Sequence, residues 1–192
     1  MSLLITNFYI FILAIVFAVL EIQIEGPAGW AKNLPTWRPK TRNWAVKLYE
    51  NIMSGKELTG YHLSMFLLVF MVFMLPFALG LAFNLDNFIK ILAFYFLFVP
   101  LWDFIRFVLN PWYPLKSFQK DNVNHKAWFL GMPTDYYFSS ALSLVTVLVG
   151  EFVLGNSGLL SWWLQNMGLF IGETILLILF SLFILDIDNW KS

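Results

Sequence analysis

Cysteine is absent from the 192 residues. Disulfides, iron–sulfur clusters and thiolate metal sites are therefore excluded. Charge is scarce as well. Asp, Glu, Lys and Arg make up 12% of the chain, about half the ~25% usual in soluble proteins. The 12 basic residues balance the 12 acidic ones, so no cationic excess points to a nucleic-acid partner. There is no H-E-x-x-H zinc motif and no Glu-x-x-His pair of the di-metal bundles. Internal repeats at 20–50 residues and low-complexity tracts are missing too. So are desaturase histidine boxes, a rhomboid Ser/His pair, a CDP-alcohol transferase aspartate pattern and a retinal lysine in the last apolar run.

Apolar surface is what the chain has in excess. Hydrophobic residues reach 59% and aromatics 19%, with 21 Phe and 9 Trp. A soluble globule of this size cannot hide so much. The composition excludes a water-soluble enzyme and a disordered chain, and it predicts an all-α, polytopic helix bundle in a membrane. Crossing a ~30 Å hydrocarbon core takes about 20 helical residues. Five runs qualify, at about 3–24, 61–83, 88–109, 135–154 and 162–185, forming a single membrane domain over 1–192. Turn chemistry at Asn84–Asn87 and at Gly155–Gly158 predicts two tight hairpins. The stretch Met1–Tyr9 has no Lys or Arg and no small-residue cleavage site follows, so the first run reads as a retained helix rather than a signal peptide.

Basic residues set the expected orientation. Lys32, Arg38, Lys40, Arg42, Lys47 and Lys56 lie in the 26–60 connection, and Lys116, Lys120 and Lys126 in the 110–134 connection. Arg106 precedes the second connection and Lys191 follows the fifth run, whereas the opposite side has only Lys90. The expectation is N-terminus out, C-terminus in, both long loops cytoplasmic, in a plasma (inner) membrane. Trp30, Trp37 and Trp44 suit an interface. From Arg42 to Met53, the apolar positions Trp44, Ala45, Leu48, Tyr49, Ile52 and Met53 recur at helical spacing. They predict a short amphipathic helix, either lying on the membrane surface or capping the bundle. In the second loop Pro111 and Pro114 end the third span. Trp112, Tyr113, Phe118, Trp128 and Phe129 should fold that loop over the bundle mouth.

Ionisable residues in the spans carry the functional reading, because each needs a partner, water or a neutral form. On the inferred topology Glu21, Glu25, His62, Asp103, His125 and Asp135 share one membrane depth. Imidazole with carboxylate is the donor mix for Zn, Mn or non-haem Fe. Glu21, Glu25, His62 and Asp103 are thus the candidate metal ligands, and Asp103, His125 and Asp135 the candidate acid/base groups. Ordinary explanations stand beside these. Asp135 suits a helix first turn, Asp103 and Arg106 suit an i,i+3 ion pair, and the two histidines suit exposed or interfacial positions. Glu21 and Glu25, one turn apart, need a cation, a proton, Arg106 or a loop lysine between them.

Elsewhere, Glu173 lies mid-span and calls for a neutral, hydrogen-bonded carboxyl, with a proton or cation relay as the alternative, and Glu151 can snorkel outward. Gly168 and Gly172 on the fifth run are expected to meet the Ser139, Ser143, Thr146, Gly150 stripe of the fourth, with a dimer face as the alternative. Pro76 and Pro100 should kink their helices. Three functions are compatible with this chain. The first is a metal-dependent enzyme acting on a lipid or other amphiphile. The second is a scaffold or assembly subunit, as homo-oligomer or within a larger membrane complex. The third is a small ion or solute transporter, disfavoured by the odd span count and the one-sided polarity.

Overall fold

A computed structural model describes residues 2–26, 29–40, 43–53, 55–113, 115–119, 127–155 and 158–189. His125, Lys120, Lys126, Lys191, Arg42, Pro27, Pro114, Asn156 and Ser157 lie outside the described residues. Helices α1 (Leu3–Glu25), α2 (Trp44–Ile52), α3 (Gly60–Ala78), α4 (Leu85–Val108), α5 (Thr134–Leu154) and α6 (Leu159–Phe183) carry the fold. All but α2 are long and apolar enough to cross a bilayer, so the chain is an integral, multi-pass membrane protein. The 26–60 connection contains the short helix α2.

Local chemistry sets the helix ends. The second span stops at Ala78, earlier than the expected Phe83. The cause is Gly80, whose φ is +102°. Its N–H bonds Phe77 O at 3.2 Å and Leu81 N–H bonds Pro76 O at 2.9 Å. This paired closure is the glycine stop of a helix C-terminus. The Asn84–Asn87 segment opens α4 instead of forming the turn, because Asn84 Oδ1 caps Asn87 N–H at 2.9 Å. At the α5–α6 hairpin Glu151 does not snorkel. Its carboxylate accepts from Gly158 N–H and Leu160 N–H, both at 3.1 Å, which satisfies donors that a helix start leaves free. Between α4 and α5, the strands β1 (Trp128–Phe129) and β2 (Met132–Pro133) pair antiparallel. Leu130 and Gly131 at φ +44° and +80° make the two-residue turn that such a hairpin prefers.

Helix α4 is the central member, packed by α1, α3, α5 and α6. Ala14 and Ala18 of α1 and Ala93 of α4 are fully buried. These small side chains let helices approach and leave room for rings. Phe98 fills the centre, edge-on to Phe17 at 5.7 Å and to Phe73 at 5.2 Å. The α5 stripe packs on α4, not on the Gly168/Gly172 pair. Ser139 and Ser143 hydroxyls donate to Phe96 O at 2.7 Å and Ala93 O at 2.9 Å. Phe96 O is free because Pro100, four residues on, has no N–H to give it. A Cβ on Gly150 would lie 2.5 Å from Ile89 Cδ1, whereas one on Gly168 or Gly172 would meet nothing. The glycine pair of α6 therefore faces outward. Asn7 and Asn166, both buried, join α1 to α6 through an Nδ2–H to Oδ1 bond of 2.8 Å. Glu173 Oε2 is buried with no hydrogen-bond partner among the described residues, so the hydrogen-bonded carboxyl expected there is not found.

Candidate metal and head-group site

The polar residues gather where α1 and α4 end and α3 and α5 begin. Glu21 and Glu25 sit one turn apart on α1 and both are buried. His62 is placed by its own helix start. Thr59 caps α3, its Oγ1 accepting from His62 N–H at 3.2 Å and lying 2.8 Å from His62 Nδ1. That contact fixes the ring and leaves Nε2 facing Glu25 Oε1 at 3.3 Å. An Nδ1 held by an oxygen partner is how an imidazole is oriented for metal ligation through its other nitrogen. The Gly29–Lys40 segment closes over the ring. Trp30 stacks on His62 with 3.7 Å between centroids and 17° between planes, so this indole serves the site. Arg38 pins the segment, with Nη1 on Glu57 Oε2 at 2.8 Å and Nη2 on Ala31 O at 2.6 Å.

Arg106 supplies the charge between the two glutamates. Its Nε is 3.5 Å from Glu21 Oε1 and its Nη1 3.6 Å from Glu25 Oε2. Both distances exceed good hydrogen-bond lengths. Its Nη2 is 3.2 Å from Asp103 Oδ1, the i,i+3 pair foreseen from sequence. Asp103 is turned away from the glutamates. Its Oδ2 accepts from Tyr136 O–H at 2.6 Å and lies 3.9 Å from Lys56 Nζ. Lys56 is also 3.6 Å from Asp135 Oδ2 and 4.5 Å from the Trp30 ring centre. The potential ligand atoms of Glu21, Glu25 and His62 all lie within 4.8 Å of one another. Asp103 is not in that group. Glu25 Oε2, His62 Nε2 and Arg106 Nε are buried without hydrogen-bond partners among the described residues. Such orphans are rare in native proteins and need a physical reason.

A cavity of about 230 Å³ opens from this cluster. Glu21, His62, Lys56, Asp103 and Asp135 form its polar end, and Phe66, Tyr95, Val99 and Leu142 its apolar length. Tyr49 of α2 roofs the polar end. Burial, then Asp135 and Asp103, push its phenol above the ordinary range, so it stays an O–H donor. Helix α2 turns Val46, Tyr49 and Met53 inward, while Trp44 and Leu48 of the expected apolar stripe are exposed. Over the neighbouring helix ends, Phe118 folds the second loop onto Phe104 and Phe107 at 5.3 and 4.9 Å.

Four of the six residues expected at one depth line this cavity, Glu25 adjoins them through Glu21 and His62, and His125 lies outside the described residues. Sequence reasoning passed over Lys56, Thr59, Trp30 and Tyr136. Only Thr59 carried a legible signal, a cap residue just before an apolar run. No protein-family model, curated protein or solved structure matches the chain.

Proposed function

We propose that this protein is a membrane-embedded, metal-dependent enzyme acting on a lipid or other amphiphile. The observation that carries the reading is the Glu21–Glu25–His62 group, three donors from two helices within 4.8 Å at the head of an apolar cavity. One imidazole and two carboxylates suit Zn, Mn or Fe and leave coordination positions open. A cation seated there gives His62 Nε2 and Glu25 Oε2, which have only ion-pair contacts of 3.3 and 3.6 Å and no hydrogen bond among the described residues, a closer partner. The ion would supply Lewis acidity to a bound head group. Asp103 and Asp135, on the cavity wall, are acid/base candidates, and His125 remains one by its chemistry alone.

The lysines and arginines of both long connections favour their placement in the cytoplasm, with the N-terminus outside. The chemistry then belongs to the cytoplasmic leaflet of a plasma (inner) membrane. Exposed Trp44 and Leu48 on α2 suit contact with that surface. Elemental analysis of detergent-purified protein tests the metal directly. The expected result is stoichiometric Zn, Mn or Fe, with affinity lowered at least tenfold in His62→Ala and Glu25→Gln, on the scale of losing a ligand or its support. Metal-free protein whose stability is unchanged in both variants ends the proposal.

A second reading, a scaffold that self-associates or joins a larger complex, draws on α6. Gly168 and Gly172 are exposed and unobstructed, as helix–helix contacts in bilayers prefer.

A further inference from the structure

The cavity is built in two compartments, and their chemistry narrows the ligand. Its floor is one flank of α4, where Tyr95, Phe96, Val99 and Pro100 are half-exposed although α4 is the central helix. Helices α3 and α5 stand on either side of that flank with little direct packing between them. The groove so formed runs from Tyr95 to Asp103, eight residues and therefore ~12 Å along the helix axis. Its walls are mostly apolar, and Phe96 O, the carbonyl that Pro100 leaves without a helical donor, is taken by Ser139. The whole cavity, head and chain together, has about 230 Å³, below the ~300–1,000 Å³ of ordinary ligand pockets, which suits one chain rather than two. Phe138, on its lining, is 45% exposed, on the surface that hydrocarbon would cover.

The head compartment asks for an anion rich in acceptors. Trp102 Nε1 and Tyr49 O–H are buried and have no hydrogen-bond partner among the described residues, and both side chains border the cavity. Trp102 is 4% exposed, and an indole N–H can only donate. Lys56 brings an ammonium to the same wall. A metal on Glu21, Glu25 and His62 adds a second positive centre, while Asp103 and Asp135 each face Lys56. Lys56 and a metal offer two positive centres, and Trp102 Nε1 and Tyr49 O–H two neutral donors, to the several acceptor oxygens of a phosphate. Phosphoryl groups are commonly clamped between a metal and a lysine.

We infer that the ligand is a single-chain amphiphile with a phosphate head, its chain entering sideways from the bilayer between α3 and α5 and its phosphate lying between Lys56 and the Glu21–Glu25–His62 metal. This rests on the metal reading above.

The test uses the full chain in phosphatidylcholine nanodiscs and a dodecyl phosphate carrying a diazirine near the chain end. After illumination, adducts are mapped by peptide mass spectrometry, and bound metal is measured on the same discs. Adducts are expected in 95–100 and 138–142. Excess dodecyl phosphate should suppress them about tenfold, whereas dodecanol, inorganic phosphate and two-chain phosphatidic acid should not. Lys56→Gln should reduce labelling about tenfold with metal content unchanged, and Val99→Trp should move adducts out of the groove. A tenfold change corresponds to about 1.4 kcal/mol, the scale of one charge-assisted contact.

Adducts spread over all bilayer-facing helices overturn the inference. Equal competition by dodecanol removes the phosphate, by inorganic phosphate alone the chain, and by phosphatidic acid the single-chain limit; each outcome overturns it. If metal is bound but the groove is unlabelled, this inference fails and the metalloenzyme reading stands. If the groove is labelled in metal-free protein, the metal reading fails, and with it the proposed seat of the phosphate.

Discussion

At one end of the bundle, Glu151 answers two backbone N–H groups seven and nine residues away. Lys90 there meets Asp86 one turn back at 2.6 Å. At the other end, Arg106 faces Glu21 and Glu25 from a different helix, and Lys56 faces Asp103 and Asp135 across the chain. The first end settles its charges locally, at sites part-exposed to solvent or head groups. The second gathers charges from four helices and a loop, and leaves Glu25 Oε2, His62 Nε2 and Arg106 Nε without hydrogen bonds among the described residues. Local caps stabilise helices. An under-satisfied, convergent cluster costs stability, and proteins keep such sites for binding or chemistry.

The sharpest way to break this contrast is Arg106→Met. Removing a buried partner leaves uncompensated carboxylates, at a cost of about 3–5 kcal/mol. Denaturant-induced unfolding in mixed micelles should show it, and a loss under 1 kcal/mol would mean that the cluster is hydrated and not electrostatically coupled. Packing gives the next largest effect. Gly150→Ala forces a methyl against Ile89 and Leu159 and should cost about 1–3 kcal/mol. Gly172→Ala, in open space, should be neutral or stabilise by up to about 1 kcal/mol. If both variants behave alike, the assignment of the two glycine faces is wrong.

Smaller effects probe local satisfaction. Glu151→Ala should cost about 1 kcal/mol by the same unfolding assay, the usual worth of a helix cap, without altering bound metal. Ser139→Ala should cost about 0.6 kcal/mol, the mean for side-chain hydrogen bonds within membranes. In a Pro100→Ala background that penalty should shrink, because an alanine N–H can take over Phe96 O. A double-mutant cycle reads this coupling, and additive losses would contradict the proposed exchange of donors.

Fold class was legible because apolar runs long enough to span hydrocarbon have few alternatives. That Glu21, Glu25, His62, Asp103 and Asp135 gather at one end of the bundle was legible too, since alternating spans fix which helix ends lie side by side. The roles of Lys56 and Trp30 were not. Lys56 counted only toward topology and Trp30 only toward an interface, because neither has a fixed spacing to the residues it serves. Gly80 was readable in principle as a helix stop, but the continuing apolar run hid it.

The chain by itself determined that five helices are long and apolar enough to cross a membrane and that ionisable groups lie toward one end. Hydrophobic length and charge position are properties of one dimension. Only the tertiary structure decided which groups touch. It put Arg106 between the glutamates, turned Asp103 toward Tyr136, and set the Ser139 stripe on α4. Rotation of each helix about its axis is fixed by long-range packing of Phe, Ala and Gly side chains, and no spacing along a uniformly apolar helix encodes it.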